Sequence, residues 1–573
     1  MSGKTRNILQ LGAGLAAFAA AGCAPGDQGA NENAGRAAEN GRNATTYLAG
    51  RVETGLGDRR ADAVVVENGE IVFVGSRGEA AAGWGEAEEI DLGDAVIFPG
   101  FTDAHAHLLG IGMRESVLNL EGVASLADMQ ARVAEALSDL EPGEILYGRG
   151  WIETHWPEGR FPNRDDLDAV STEHAIILVR ADGHALVANS AAIARAGVDA
   201  STEDPDGGQI QRGPDGAPNG IFIDRAQGLV TRLIEAPDEA ARRNAYRVGG
   251  EVYAAYGWTN IHNMSVAYED IPLIEEGVDA GAIPIRVYNS VDMGDAEQVF
   301  RDGRRVSDSG RAVTRALKLY VDGALGSRGA ALLEEYSDAE GAGLIITEHD
   351  QMAPVLRRAL RDGVQINTHA IGDRGNRNVL DWYAEAFAEA PPGERAVAEP
   401  RWRIEHAQIL HPDDIARFAE LGVIPSMQPS HAIGDLHFAP DRLGLDRLVG
   451  AYAWRSLIDS GAIIAAGSDA PVERGDPRIE FYAAVARKDL TGFAGEGWHA
   501  EQAVTREEAL KMLTLWPAYA AFQEDILGTI EPGKRADFTI FDRDLMTVPE
   551  AEILEAQVVM TVVDGEIVYR AAD

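Results

Sequence analysis

Residues 96–107 read VIFPGFTDAHAH, a short apolar run that ends in two histidines separated by one residue. Short apolar runs rich in β-branched and aromatic residues predict buried strands. Because alternate residues of a strand point to the same side, His105 and His107 are expected to present both imidazoles on one face. Histidine is the commonest metal ligand in proteins. The stretch therefore predicts a β-strand with a candidate metal-binding pair at its carboxyl end.

Seven more apolar runs follow, and helix-forming stretches rich in Ala, Leu, Arg and Glu separate them. Strands that alternate with helices pair in parallel, and eight such units predict an α/β fold, a (β/α)8 TIM barrel. The stretch from about 110 to 257 is too long for one helix, so we expect an insertion after the first strand. The seven further runs are WTNIHNMS (258–265), IPIRVYNSV (283–291), ALKLYVDG (316–323), VQINTHA (364–370), RWRIEHA (401–407), VIPSMQPS (423–430) and IIAAGSDAP (463–471).

The two ends of the chain carry similar hairpin patterns. Residues 63–74 (AVVVENGEIVFV) contain an Asn-Gly pair, and residues 558–569 (VVMTVVDGEIVY) contain an Asp-Gly pair at the equivalent place. Such pairs between apolar runs are the strongest short-range signal for a hairpin. We therefore expect a small flanking β-sandwich composed of 46–95 plus 525–573, with the barrel and its insertion in 96–524.

The N-terminal segment is predicted to be a targeting signal. Residues 8–21 are apolar or small, a length of about 14 that is too short for a membrane span but typical of a signal-peptide core. Cys23, the only cysteine of the chain, follows directly. The small residues before it resemble a bacterial lipobox, although Ala20 stands where Leu is usual. We expect 1–23 to be a lipoprotein signal peptide, and a plain secretory signal is the alternative.

Lipidation of Cys23 would make the protein an exported bacterial lipoprotein that is anchored to the membrane surface and faces the periplasm or the exterior. Residues 24–45 are rich in Gly, Ala and Asn and have no apolar period, so they are predicted to form a flexible linker.

The composition excludes several classes of protein. Apolar residues make up 45% and charged residues 25%, as in ordinary globular proteins. The 92 acidic residues outnumber 51 Lys and Arg, giving a net charge of −41, which argues against nucleic acid as a partner. A single cysteine excludes a disulfide framework and a cysteine-cluster metal site. The oligomeric state stays open.

Metal-binding residue types stand at the ends of several predicted strands. Lys318 lies in the fourth run, His369 and His406 end the fifth and sixth, and Asp469 ends the eighth. Active sites of barrels are built at the carboxyl ends of the strands. Together with the histidine pair of the first strand, these residues predict a metal centre at the mouth of the barrel.

Eight motifs along the chain form a recognisable set: PGFTDAHAHL (99–108), GRGW (148–151), RADGHALVANSAA (180–192), KLYVDGALGSR (318–328), INTHAIGDRG (366–375), RIEHAQ (403–408), QPSHA (428–432) and GSDAPVE (467–473). Together they resemble the amidohydrolase superfamily, and within it the YtcJ-like amidohydrolases of family 3. The resemblance covers nearly all of the chain after the N-terminal segment. It implies a metal-dependent hydrolase with a flanking β-sandwich, which agrees with the hairpins at the two ends.

The resemblance also implies a set of ligands for one or two divalent ions, and zinc suits histidine and carboxylate donors best. Lys318 would be a carboxylated lysine that bridges two ions. The alternative is a barrel lysine in an ion pair with Asp322 or Asp469. Asp103 is expected to orient one of the ligands. The implied metal ligands are His105, His107, Lys318, His369, His406 and Asp469.

The implied reaction is hydrolysis of a non-peptide carbon–nitrogen bond in a small molecule, such as an amide, formamide-type or cyclic amide bond. Metal-activated hydroxide attacks the polarised carbonyl, and Asp469 acts as general base and then as general acid. His184, His431 and Trp151 are candidate substrate-binding residues, with ordinary loop histidines and a core tryptophan as the alternatives. The other histidines, including His262, are expected to take no part.

Two further functions remain open on the sequence alone. The same metal centre could serve ester, lactone or carbamate hydrolysis or deamination, because specificity depends on loops around a common fold. The third possibility is a non-catalytic regulatory or scaffold lipoprotein.

Overall fold

The computed structural model describes residues 44–57, 61–115, 117–138, 140–141, 143–153, 156–181, 183, 185–205, 208–234 and 236–572. The predicted signal peptide, most of the predicted linker, and Cys23 lie outside these residues, so lipidation and export stay predictions. The candidate substrate-binding residue His184 also lies outside them. No helix in the described part of the chain is both long enough and apolar enough to cross a membrane.

Eight parallel strands form a nearly closed barrel, which confirms the predicted fold. Neighbours in chain order pair in parallel. The segment that follows the last strand meets the end of the first through two backbone hydrogen bonds, from Asp469 N–H to the His105 carbonyl (2.6 Å) and from His107 N–H to the Ala470 carbonyl (2.8 Å). The strands are β1 Phe101–Ala106, β2 Trp258–Val266, β3 Arg286–Asp292, β4 Ala312–Tyr320, β5 Gln365–Ala370, β6 Arg403–His406, β7 Ile424–Met427 and β8 Ala465–Ala466.

The barrel strands are buried along nearly their whole length because helices cover their outer face. This two-sided burial explains why the strands form almost continuous apolar runs in the sequence. A short strand, Arg305–Val306, pairs antiparallel with β4. The helices after β2 are Ile271–Asp279, Ala296–Asp302, His349–Asp362, Asp373–Glu389, Pro412–Leu421, Pro429–Asp435, Ala439–Leu443, Trp454–Asp459, Pro477–Ala486, Arg506–Leu513 and Leu515–Ala520.

Both ends of the chain join in one flanking sheet of eight strands, so the predicted flanking β domain is present. Its two hairpins turn where they were predicted to turn. Asn68 and Gly69 have φ angles of 52° and 79°, and Asp564 and Gly565 have φ angles of 51° and 76°, the left-handed pairs of type I′ turns. The strands, in spatial order, are Glu566–Arg570, Val558–Val563, Phe538–Phe541, Val96–Pro99, Ala44–Val52, Ala61–Glu67 and Glu70–Gly75, with Glu88–Asp91 paired to Ala44–Val52 and the helix Arg77–Trp84 alongside.

The first predicted strand, 96–107, is divided between two sheets. Val96–Pro99 pairs within the flanking sheet, whereas β1 begins at Phe101. A Cβ atom on Gly100 would lie 2.3 Å from the Thr259 hydroxyl oxygen, so the chain needs glycine where it passes from one sheet to the other. The boundary between flanking sheet and barrel therefore lies at Gly100, a few residues after the predicted boundary.

The insertion between β1 and β2 has a six-stranded sheet and a hydrophobic core of its own. The helices at its two ends pack closely, since a Cβ on Gly112 would meet the Ala245 carbonyl oxygen at 1.7 Å. Its strands are Leu118–Asn119, Ile145–Trp151, Ala175–Arg180, Ala185–Ala188, Gly208–Arg212 and Pro218–Asp224, and its helices are Leu108–Glu115, Leu126–Leu137, Arg164–Asp168, Ser190–Arg195, Gly228–Thr231 and Glu239–Tyr256.

Candidate metal centre

Asp469 is at the centre of a cluster of histidines at the carboxyl ends of the barrel strands. Its Oδ1 lies 3.0 Å from His107 Nε2 and 3.5 Å from His105 Nε2, and its Oδ2 lies 3.6 Å from His431 Nε2. Two overlapping groups, one of His105, His107 and Asp469 and the other of His406, His431 and Asp469, each bring three donor atoms within 4.8 Å of one another. This grouping brings the ends of β1 and β6 together with the segment after β8.

The hydrogen bonds of three histidines leave the same ring nitrogen, Nε2, with its lone pair. The Nδ1 atoms of His105, His107 and His406 face acceptors: Glu405 Oε2 at 2.5 Å, the Met264 carbonyl at 3.1 Å and Gln428 Oε1 at 2.9 Å, respectively. Each Nδ1 therefore carries a proton, and each neutral ring keeps a lone pair on Nε2. Metal-binding histidines characteristically donate their other N–H to such acceptors.

Burial keeps these rings neutral. It lowers the pKa of His105 to about 4 and that of His369 to about 3, and it holds the pKa of His406 well below its ordinary value. Burial alone would raise the pKa of Asp469, but the neighbouring His105, His107 and His406 hold that pKa well below its usual range. The cluster thus presents neutral imidazoles and an ionised carboxylate, the donor states that a divalent ion requires.

These contacts turn electron pairs of the cluster toward one another. Nε2 of His107 and Oδ1 of Asp469 are both acceptors at 3.0 Å, and Nε2 of His369 has no hydrogen-bond partner among the described residues. The His369 ring lies 4.5 Å from the His406 ring, centroid to centroid, on the same side of the barrel. The residues therefore fit a divalent metal ion with nitrogen and oxygen ligands.

Lys318 reaches into the same cluster. Its Nζ lies 3.2 Å from His105 Nε2, and its side chain is buried. Burial lowers the pKa of Lys318 to about 8. It forms no ion pair with any described carboxylate, so the alternative in which it pairs with Asp322 or Asp469 is not observed. Asp322 instead accepts hydrogen bonds from the backbone N–H groups of three other residues.

His431 comes from the helix Pro429–Asp435 rather than from a strand. The Gln408 amide nitrogen lies 3.1 Å from its Nδ1, and because that nitrogen can only donate, the ring carries its own proton on Nε2. Nε2 has no hydrogen-bond partner among the described residues and faces Asp469. His431 therefore offers a hydrogen-bond donor to the site, and its role toward a substrate stays a prediction.

Asp103 positions the backbone of the site rather than a ring. Its Oδ1 accepts hydrogen bonds from the N–H groups of His105 (3.1 Å) and Ser468 (3.0 Å), and its Oδ2 accepts one from Tyr253 (2.9 Å). Burial raises the pKa of Asp103 to about 6. The carboxyl group ties β1 to the segment that carries Asp469, whose own φ of 61° is left-handed.

Two sequence predictions need correction. Trp151 lies in the core of the insertion, where its ring packs against Trp156 and Phe161 and its N–H donates to the Leu178 carbonyl (2.9 Å). It is fully buried there, so it is a core residue and not a wall of the substrate site. His262 was expected to be an ordinary histidine, yet it lies under the metal centre.

A row of buried charged and polar side chains beneath the cluster was not predicted. Glu405, which binds His105, lies 2.7 Å from Nε of Arg403, and Nη1 of Arg403 donates to His262 Nδ1 at 2.8 Å. All of these side chains are fully buried. The available signal was the pair of charged residues, Arg403 and Glu405, at alternate positions of the fully buried strand β6.

An α/β barrel with histidine and carboxylate donors at the carboxyl ends of its strands defines the class of metal-dependent barrel hydrolases. The family model described as "Amidohydrolase family" matches residues 88–569, and the chain belongs to the amidohydrolase family, within family 3.

Relatives of known name or structure agree with this assignment. YtcJ of Bacillus subtilis (strain 168), named as an amidohydrolase, is 32% identical over 519 residues, 89% of this chain and 96% of that protein. The N-substituted formamide deformylase of Arthrobacter pascens is 28% identical over 533 residues, 89% of this chain and 95% of that enzyme. An uncharacterised metal-dependent hydrolase from Pyrococcus furiosus is 27% identical with a TM-score of 0.70, covering 88% of this chain and all of that one.

The Glu405 contact leads to a prediction about metal affinity. Glu405→Gln is expected to weaken metal binding by about 10–100-fold, because the carboxylate fixes the His105 tautomer that leaves Nε2 free. Affinity is measured by competition with a chromogenic chelator. Asp270→Asn is the matched control, since Asp270 is an equally buried carboxylate that binds Arg242 and Tyr246 away from the cluster. Equal affinities in the wild type and Glu405→Gln would contradict the positioning role.

Proposed function

We propose that this amidohydrolase cleaves a non-peptide carbon–nitrogen bond in a small molecule, and that N-substituted formamides are the first substrate class to test. The named activity of the Arthrobacter pascens relative supports the class of bond. The observation that carries the proposal is the Asp469 carboxylate, which is ionised, buried and within 3.6 Å of three imidazoles.

Asp469 is placed to move a proton in both halves of the reaction. Its carboxylate takes the proton of the attacking water and then gives that proton to the nitrogen of the leaving amine. For a formamide, water adds to the carbonyl carbon, the C–N bond breaks, and formate and a protonated amine leave. The burial of Asp469 excludes other water molecules that would compete for its proton.

His431 is proposed to bind the carbonyl oxygen of the substrate. Its Nε2–H faces two described carboxylates, Asp469 at 3.6 Å and Glu473 at 3.9 Å, and is hydrogen-bonded to neither. A positioned N–H donor at this point stabilises the negative charge that develops on the oxygen as water attacks. The Gln408 amide holds the His431 ring in the required tautomer.

His105, His107, His369, His406 and Asp469 are the proposed ligands of one or two divalent ions, with zinc as the proposed metal. A bound divalent ion polarises the scissile carbonyl and lowers the pKa of water toward about 7. A buried amine with a pKa of about 8 is partly neutral near pH 8, and the neutral amine is the form that reacts with CO2. Carboxylation of Lys318 is therefore part of the proposal, and intact-protein mass spectrometry would detect the added 44 Da, about one carbon dioxide.

The test is a substrate panel with the zinc-loaded protein. N-substituted formamides, N-acyl amines, lactams, esters, lactones, carbamates and aminopurines are incubated separately, and formate, amine, acid or ammonia is measured. We expect turnover of the amide-type compounds, with formamides fastest, because Asp469 can protonate a leaving nitrogen. Faster turnover of esters or deamination substrates would assign the same centre to another reaction. No turnover of any class by protein with a full complement of metal would favour the non-catalytic alternative.

A further inference from the structure

A second cavity lies at the opposite end of the barrel from the metal centre. It has a volume of about 230 Å³ and is bounded by the starts of β3 and β4 and by residues 521–523 and 526. Arg286 begins β3 and Arg315 lies in the first half of β4, whereas the metal centre is at the carboxyl ends of the strands. The volume is below the roughly 300–1,000 Å³ of pockets for drug-sized ligands, so the cavity suits a small ion or molecule.

The lining of this cavity is positively charged. None of its described lining residues is acidic, although the chain has 92 acidic residues against 51 Lys and Arg. Arg286 is paired with Asp537 and Asp564, and Arg535 lies 3.7 Å from Asp564. The other two arginines have no ion pair with a described carboxylate. The four arginines that line the cavity are Arg286, Arg304, Arg315 and Arg535.

The Arg315 guanidinium is only partly hydrogen-bonded, through Nη2 to the Gly363 carbonyl at 3.4 Å. It lies over the Phe522 ring at 3.9 Å, and its buried Nε has no hydrogen-bond acceptor among the described residues. Burial lowers the pKa of Arg315, and the positive charges of Arg304 and Arg401 lower it further, so the positive charges here are close together. Buried donors are satisfied in most native proteins, and a ligand is one source of the missing acceptor.

Phe522 has a left-handed φ of 61°, which is strained for an aromatic residue. This conformation places its ring against both Arg315 (3.9 Å) and Arg401 (4.5 Å). The Arg315 guanidinium is thus held in place by stacking before any ligand arrives.

We propose that this cavity is an anion site that binds a phosphate group, either inorganic phosphate or a small phosphomonoester. Two guanidinium groups without an ion pair to a described carboxylate, those of Arg304 and Arg315, match the charge of about −1.5 to −2 that a phosphomonoester carries at pH 7. The guanidinium fork binds phosphate oxygens through two parallel hydrogen bonds. The Debye length is about 8 Å at physiological ionic strength, so the local arginines and not the net charge of the chain decide the attraction.

The test is calorimetric titration of the full, metal-loaded protein with inorganic phosphate and, separately, with glycerol 2-phosphate at constant ionic strength. We expect one saturable site per chain, and at least tenfold weaker binding in Arg304→Gln and in Arg315→Gln. Arg304 is exposed, so its replacement leaves the fold intact. Arg301→Gln is the matched control, because Arg301 is an exposed arginine that pairs with Asp302 outside the cavity.

The metal centre is the competing place for phosphate to bind, and His105→Asn separates the two. Unchanged phosphate binding in His105→Asn, with loss in both arginine variants, supports the cavity. The affinities for glycerol 2-phosphate and for inorganic phosphate are then compared, and the tighter of the two shows whether the site prefers a phosphomonoester or free phosphate. Absence of binding, equal binding in the wild type and both arginine variants, or loss only in His105→Asn would overturn the proposal.

Discussion

Replacing Asp469 with asparagine is expected to lower kcat by about 10²–10⁴-fold, the usual contribution of a positioned general base or acid. The amide cannot take a proton from water, and it cannot pass one to the leaving nitrogen. Asparagine has nearly the size of aspartate, so the surrounding histidines keep their places. The free Nε2 atoms of His105, His107 and His406 remain as ligands, so the variant is expected to keep bound metal.

Two measurements on Asp469→Asn separate its roles. The kcat is determined with the best substrate of the panel, and bound metal per chain is determined by elemental analysis of the same sample. Asp413→Asn makes the same chemical change at a side chain that is 86% exposed, and it should leave both values unchanged. Normal turnover in Asp469→Asn would remove this residue as the base. Loss of metal together with activity would make Asp469 principally a ligand.

The barrel and most of its candidate metal centre could be predicted because two regularities of strands hold here. Strands buried on both faces are apolar throughout, and successive side chains alternate between the two faces. Eight apolar runs gave eight strands, since strands that are buried on both faces have little room for polar residues. The two histidines of β1 are two positions apart, so alternation alone placed them on one face. The turn residues of the terminal hairpins were equally decisive, because Asn-Gly and Asp-Gly accept the left-handed φ angles that tight hairpins need.

The alternation of side chains between the two faces of a strand also explains what the sequence could not predict at β6. Glu405 and His406 are consecutive, so alternation sends them to opposite faces. His406 has a φ of 75° and Ala407 a φ of 43°, and this left-handed turn of the backbone brings both side chains to His105. Because the turn occurs at residues other than glycine, no local sequence signal marks it. The contact between Glu405 and His105 therefore depends on tertiary structure.

In the insertion, the local sequence could not predict whether a side chain is buried in the core or faces a ligand. Trp151 stands in a motif that resembles the family, but a tryptophan next to glycine can pack inward or face a ligand with the same local sequence. Its burial in the insertion core is decided by Trp156 and Phe161. His431 shows the opposite case, since it enters the site from a helix, where strand periodicity gives no information.

Arg403 is the residue whose loss should most destabilise the fold. Its guanidinium is fully buried, with Nε 2.7 Å from Glu405 Oε1, Nη1 2.8 Å from His262 Nδ1, and Nη2 2.5 Å from the Ala104 carbonyl. Burial alone would raise the pKa of Glu405, but Arg403 and His105 hold that pKa below its usual value, so the carboxylate is ionised. Removing the cation would leave a buried anion without its main counter-charge.

Arg403→Met is therefore expected to lower the free energy of unfolding by about 3–5 kcal/mol, the usual cost of removing one partner of a buried ion pair. Urea unfolding of chelator-treated protein is the measurement, because metal bound only by the wild type would add its own stabilisation. Arg357→Met is the matched control. Arg357 pairs with Glu389 with both side chains about half exposed, and such pairs contribute roughly 0–1 kcal/mol.

The double variant Arg403→Met/Glu405→Met shows whether the loss of stability in Arg403→Met comes from the uncompensated charge of Glu405 or from lost packing. When both ions of a buried pair are replaced by apolar side chains of similar volume, no uncompensated charge remains, and stability is often recovered. We therefore expect the double variant to be more stable than Arg403→Met alone, although it should bind metal weakly because His105 has lost its acceptor. A double variant as unstable as the single one would assign the loss to the other Arg403 contacts, with His262, Ser426 and the Ala104 carbonyl.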